Sequence, residues 1–340
     1  MSNNLNIKFY FPNWIFPNNV GDTIISTFIP KLIKQLHPDH TLEVIVHGKL
    51  FDIMKYDDNI DICRLPNNEE MYYDFKSYAL GNVKSYELKV AYPEWHPYLF
   101  EFWKDNHDYL VNHPTANIIT VNFLLQLGYE HLLFGDISYD FRPYFNKIKT
   151  KLTNDSFNLG IAISTKLAGK GNPHPGCNGV GYRYKLESWK EFVKHIKQSN
   201  PNIQIYEFSE TFMHIGDVHN RYTDSFNELF DQIDQIDLAV VSDGGLHHAF
   251  NARNTPLVLF QPNILSKVEF LKLDNSYYPE HLHLNCRKSC RSYFSEVFGG
   301  NDMSTTCNME CENLDPIELA KYTNNIIEKI KNESNKLQRN

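Results

Sequence analysis

The chain has 340 residues, 42% of them hydrophobic and 22% charged, and carries a net charge of −8. At about 150 residues per domain this length allows two domains, and the composition is that of an ordinary soluble globular protein. The acidic balance argues against a protein devoted to nucleic acid or to an anionic membrane, although Lys185–Lys197 forms a local basic patch. The N-terminus, Met1-Ser2-Asn3-Asn4, shows neither the basic start nor the apolar run of a signal peptide. No apolar run reaches the length of about 18 residues that spans a bilayer. A cytoplasmic location is expected, where structural disulfides are uncommon. Aromatic residues make up 14% of the chain and concentrate between residues 71 and 145. They suit either an aromatic-rich core and surface or stacking on sugar rings.

In chain order, Ile7–Phe11 reads as a first strand, followed by a turn-rich segment from Pro12 to Gly21. Asp22 is expected to open an amphipathic helix, with Ile24, Ile25, Phe28, Ile29, Leu32 and Ile33 on one face. Its carboxylate suits an N-cap. Thr41–Val46 is a strand, Leu50–Tyr56 a short helix and Ile60–Arg64 a third strand. This alternation implies a parallel sheet covered by helices. Between residues 71 and 145 only Tyr86–Ala91 as a strand and Ala116–Leu127 as a helix stand out. Lys147–Asn154 is polar and suits a linker. A second α/β run follows, with strands at Leu159–Ile163, Ile203–Phe208, Leu238–Val241 and Leu257–Phe260. Helices are expected at Leu186–Gln198, Ser225–Gln235, Leu246–Arg253 and Pro316–Leu337. The expected organisation is an N-terminal domain over residues 1–150 and a C-terminal domain over 151–315. The helical tail, 316–340, is expected to pack back toward the N-terminal domain.

The stretch Asp237 to Phe260 carries the strongest local signal. A buried strand runs into Ser242-Asp243-Gly244-Gly245 and then into a helix that bears His247 and His248. Such a turn leaves backbone N–H groups unpaired at the carboxyl edge of a parallel sheet, where open α/β sheets bind ligands and helix N-termini favour phosphate. Of the two imidazoles, His248 suits a phosphate contact, and His247 suits a packed or exposed residue equally well.

Two motifs resemble one family. Asn19-Val20-Gly21-Asp22-Thr23, the helix containing Phe28-Ile29-Pro30, and His37-Pro38 before the second strand resemble the start of the heptosyltransferase-like glycosyltransferases (the ADP-heptose:lipopolysaccharide heptosyltransferase family). Val241 to Ala249, with Asn254-Thr255-Pro256 after it, looks like that family's donor signature D-[ST]-G-x-x-H, with Gly244 in place of the hydroxyl residue. The resemblance implies the α/β GT-B fold, two Rossmann-like parallel-sheet domains facing across a cleft. It implies Asp22 as the general base toward an acceptor hydroxyl, with Asn19 and Gly21 in the acceptor loop. Lys185, Arg183, Lys166 and Thr165 would face the donor diphosphate. Asp243, Gly244, Gly245, Leu246 and His248 would hold donor phosphate and sugar.

The chemistry agrees with that assignment. Sugar transfer from a nucleotide diphosphate needs an activated hydroxyl, and a loop carboxylate supplies general base catalysis worth roughly 10²–10⁴-fold. Asp22 as a mere helix cap is the competing reading, and the roles conflict, because N–H groups that stabilise a carboxylate weaken it as a base. No D-x-D motif sits at a strand end, so no catalytic metal is expected, and cations with a helix N-terminus would carry the leaving-group charge.

Cys286, Cys290, Cys307 and Cys311 form two C-x₃-C pairs in a segment spanning 284–312. Tetrahedral thiolate ligation of structural Zn or Fe, free buried thiols and two disulfides are the three readings. In the autotransporter branch of the resembled family such a cluster holds iron. The function expected is an inverting, metal-independent glycosyltransferase moving a heptose-like or hexose sugar from a nucleotide-diphosphate sugar to a glycan or protein hydroxyl. Peripheral membrane contact and oligomerisation are compatible with it, and a nucleic-acid partner is not expected. A catalytically inactive sugar-nucleotide-binding scaffold is the alternative. A nucleotide-sugar epimerase would draw on Glu207, Glu210 and Asp217. A Rossmann oxidoreductase lacks its G-x-G-x-x-G after the first strand.

Overall fold

A computed structural model describes residues 6–10, 24–46, 48–67, 87–89, 96–110, 113, 115–135, 139–143, 156–162, 186–209, 213–221, 223, 225–241, 245–259, 276–277 and 315–337. The chain divides into two compact units, Met1–Lys149 with Lys267–Leu273, and Thr150–Ser266 with Asp274–Asn340.

Unit 1 contains strands β1 (Asn6–Tyr10), β2 (Thr41–Ile45), β3 (Ile62–Arg64) and β4 (Glu87–Lys89). They pair in the order β3-β2-β1-β4, all parallel. Its helices are α1 (Phe28–Leu36), α2 (Gly48–Met54), α3 (Leu99–Asp105), α4 (His107–Leu110) and α5 (Ile118–Leu127). The apolar stripe expected from Ile24 to Ile33 is buried throughout. Ile24 and Ile25 are helical, a turn at Ser26–Thr27 interrupts the ladder, and the regular helix runs from Phe28, with Thr27 as its cap residue. Pro30 explains the interruption. It has no N–H to give the Ser26 carbonyl, and Ile29 N–H donates there instead at 3.0 Å, while Thr27 N–H donates to Ile24 at 3.1 Å. These i→i−3 bonds tighten the chain before the α-helical ladder takes over.

Helix α5 is buried nearly all round, as a helix apolar on every face must be. Asn117 caps its start by accepting from Thr120 N–H at 2.9 Å, and Gly128 ends it at φ 71°. Phe28, the first residue of α1, meets Phe123 of α5 and, edge-on at 5.9 Å, Phe141. Lys31 pairs with Asp140 at 3.1 Å beside that contact. Burial opposes ionisation of Asp140, but hydrogen bonds from Arg142 and Lys31 outweigh it and hold its carboxyl down at about 2.

Unit 2 contains β5 (Asn158–Ala162), β6 (Gln204–Phe208), β7 (His219–Asn220), β8 (Leu238–Val241), β9 (Leu257–Leu259) and β10 (Ser276–Tyr277). Their order is β10-β9-β8-β5-β6-β7, again all parallel. Counted from its own first strand this is 6-5-4-1-2-3, the doubly wound arrangement. Helices α6 (Leu186–Ser199), α7 (Phe226–Ile233), α8 (Gly245–Ala252) and α9 (Pro316–Leu337) cover it. One face of the sheet presents Leu159, Ile161, Leu238 and Val240 to Trp189, Phe192, Val193 and Ile196 of α6 and to Leu319, Ala320 and Ile327 of α9. The C-terminal helix therefore has its packing surface in the core of unit 2, with Asn324 accepting from Asn200 Nδ2 at 2.8 Å. The basic residues of α6 are spoken for: Lys190 pairs with Glu187, Lys194 with Glu191 and Lys197 with Asp217. No helix among the described residues is long and apolar enough to cross a membrane.

Candidate functional site

Strand order locates the ligand-binding edge of each unit. A doubly wound sheet opens a crevice where the connections of two adjacent strands leave in opposite directions, outside their carboxyl ends. In unit 2 that point lies between β5 and β8, whose last residues, Ala162 and Val241, stand in register. The helix after β5 packs on the face of Leu159 and Ile161. The helix after β8 packs on the other face, where Phe250 of α8 meets Phe208 edge-on at 5.1 Å and lies above Gly160. In unit 1 the same reversal lies between β1 and β4, with Tyr10 beside Lys89.

In chain order, the sequence motifs follow the strands that form these two edges. The segment with Asn19, Gly21 and Asp22 follows β1, and the segment with Thr165, Lys166, Arg183 and Lys185 follows β5. Asp243 and Gly244 follow β8. All of these side chains lie outside the described residues, as do Cys286, Cys290, Cys307 and Cys311. Among the described candidates, Gly245 opens α8, Leu246 is half-buried beside it, and His248 is 8% exposed. His247, given no site role from the sequence, is fully buried, and its ring lies 4.3 Å from that of His248.

Helix α8 is seated by groups the sequence reading passed over. A Cβ on Gly160 would stand 3.1 Å from Ile236 Cγ2 and 3.3 Å from Phe250 Cζ, so the absent side chain lets α8 approach the sheet. A glycine inside the apolar strand NLGIA was the available signal for that approach. At the far end of α8, Arg253 donates from both Nε and Nη2 to Asp234, the residue that ends α7, with both side chains nearly sealed from water. A bidentate guanidinium–carboxylate pair fixes geometry as well as charge.

Of the carboxylates of the epimerase reading, the two described ones are engaged with other partners. Glu207 is fully buried and accepts from Ser209 Oγ at 2.5 Å and Met213 N–H at 2.7 Å. Asp217 is exposed and paired with Lys197 at 2.7 Å, and Glu210 lies outside the described residues. Among the described residues, no group of three or more His, Cys, Asp or Glu is arranged to hold a metal. Cys63, the free cysteine on β3, has its thiol pushed up to about 12 by burial and then by the charge of Asp57, which makes it a poor metal ligand and nucleophile.

No protein-family model matches the sequence, and no curated protein matches it significantly. Solved structures do match. A glycosyl transferase of family 9 from Veillonella parvula is similar over 96% of this chain and 97% of its own, with a TM-score of 0.55 and 12% identity. The ADP-heptose lipopolysaccharide heptosyltransferase II of E. coli is similar over 96% of this chain and 100% of its own, with a TM-score of 0.59 and 11% identity. The iron-containing dodecameric glycosyltransferase TibC from enterotoxigenic E. coli is similar over 97% of this chain and 77% of its own, with a TM-score of 0.54 and 13% identity. At these identities the likeness is one of fold: over nearly its whole length this chain has the GT-B fold of the heptosyltransferases.

Proposed function

We propose that this chain is an inverting glycosyltransferase that moves a heptose-like or hexose sugar from a nucleotide-diphosphate sugar to a hydroxyl of a glycan or protein, in the cytoplasm. The observation that carries the reading is a coincidence of two independent features. In chain order the sequence motifs follow β1, β5 and β8, the strands beside which the topology of each unit reverses. The fold is that of proteins which include a heptosyltransferase complexed with ADP-D-β-D-heptose.

In this reading Asp22 takes the proton from the acceptor hydroxyl as its oxygen attacks the anomeric carbon. The bond from that carbon to the diphosphate breaks with inversion. Lys185, Arg183 and Lys166, with Thr165, take up the negative charge left on the diphosphate, and the N-terminus of α8 with Asp243, Gly244, Gly245 and His248 orients phosphate and sugar. No metal enters these steps. The four cysteines present the donor chemistry of a tetrahedral thiolate site and fit structural Zn or Fe, held by Cys286, Cys290, Cys307 and Cys311.

The test is sugar transfer from a panel of sugar nucleotides by the wild-type protein and by D22N. The reading expects turnover with at least one donor and a loss of about 10²–10⁴-fold in kcat in D22N with donor binding retained. Binding without any transfer or hydrolysis by the wild type would make the chain a sugar-nucleotide-binding scaffold instead.

A further inference from the structure

Behind His248 stands a second imidazole. His247 is 0% exposed, and the two ring centroids lie 4.3 Å apart with 37° between the planes. Neighbouring residues on a helix project about 100° apart, so their rings meet only when both side chains turn toward each other. The helix beneath them is already held. Phe250 lies above Gly160, and Arg253 is locked to Asp234. With that backbone fixed, the orientation of the His248 side chain is set by what its ring touches, and one ring it touches is that of His247. We infer that His247 is a positioning residue, whose buried ring is the wall that holds the His248 imidazole in one orientation at the β5/β8 edge.

The inference rests on the proposed function and deepens it, by naming what keeps a donor-phosphate contact ordered before the nucleotide arrives. A side chain already ordered does not pay its rotational entropy on binding. The flat face of the ring is what matters, so Phe serves in place of His247, whereas Leu fills similar space and offers no flat wall.

Three variants test it: H247F, H247L and H248A. Carbon-edited NMR of the imidazole ring of His248, assigned by its loss in H248A, reads its order without ligand. Calorimetric titration with ADP, UDP and GDP reads affinity, well below the unfolding temperature of each variant. The expected result is one sharp ring-current-shifted His248 signal in the wild type and H247F and an averaged signal in H247L. The expected Kd for the nucleotide that binds is within about twofold of wild type in H247F and about three- to tenfold weaker in H247L. A His248 signal unchanged in H247L, or H247F behaving as H247L does, would overturn the inference. Failure of the wild type to bind any nucleoside diphosphate would contradict the proposed function, and the His248 spectra would still decide the positioning role.

Discussion

At the scale of single residues, His37 and Asp140 each contribute to how unit 1 responds to acid. His37 closes α1 and lies 3.3 Å from the Tyr129 hydroxyl and 5.3 Å, ring to ring, from His40. Burial, and then the neighbouring His40, lower its pKa from 6.5. A histidine that resists protonation in the folded state leaves the unfolded chain binding more protons as the pH falls below about 6.5, so stability drops there. Between pH 7 and pH 5 the thermal midpoint should fall, and H37N should flatten that fall; equal slopes would remove His37 from the account. Asp140 acts lower, because its carboxyl is depressed to about 2. Its contribution is complete above the ordinary carboxylate pKa near 3.8 and is lost as the pH drops from there toward 2. Thr27 stands at the cap position of α1, and Asp22 lies outside the described residues, ahead of the helical residues Ile24 and Ile25.

At the scale of elements, α8 is the part whose seating the proposed chemistry needs, and its two anchors make separable predictions. G160A puts a methyl group against Ile236, Phe250 and Phe208, at 3.1 to 3.4 Å, and should cost about 1–3 kcal/mol in urea unfolding. A neutral effect would mean that α8 does not depend on close approach. D234A leaves the buried guanidinium of Arg253 without its carboxylate and should cost about 3–5 kcal/mol, while the double variant D234L/R253M should recover most of that loss. If the double variant is no better than D234A, the pair is doing something other than neutralising itself. Several elements were readable because one signal dominated each of them. β8 is four apolar residues in a row, α6 carries its buried Trp189, Phe192, Val193 and Ile196 at helical spacing, and α7 opens on Ser225. The short pieces were not readable. β7 and β10 have two residues each and exist because a neighbouring strand offers hydrogen bonds. α3, with the sequence LFEFWKD, buries only Leu99 and Trp103 and shows no clean period. Within the site, the D-G-G-x-x-H pattern was visible in sequence, but the burial of His247 and the Asp234–Arg253 lock depend on which face of the sheet α8 covers, and that is set by strand order.

At the scale of the whole molecule, strand order is what gives the motifs a common place in the proposed function. Each unit reverses its winding beside its own first strand, β1 or β5, and the sequence that follows those strands carries the residues proposed for catalysis and donor binding. The cysteine quartet adds an independent prediction: elemental analysis of purified protein should find about one Zn or Fe per chain, lost in C286S/C290S, whereas a metal-free wild type would leave thiols or disulfides. The most direct measurement of the central claim is the thermal midpoint of the wild-type protein across a panel of nucleoside diphosphates and their sugar conjugates. A ligand bound only by the folded state adds about 2.7 kcal/mol at a hundredfold excess over its Kd, which raises the midpoint by several degrees. One base should stand out, with its sugar nucleotide and free diphosphate both stabilising and a weaker response in H248A. A midpoint unmoved by every nucleotide would contradict the assignment of the β5/β8 edge as a donor site.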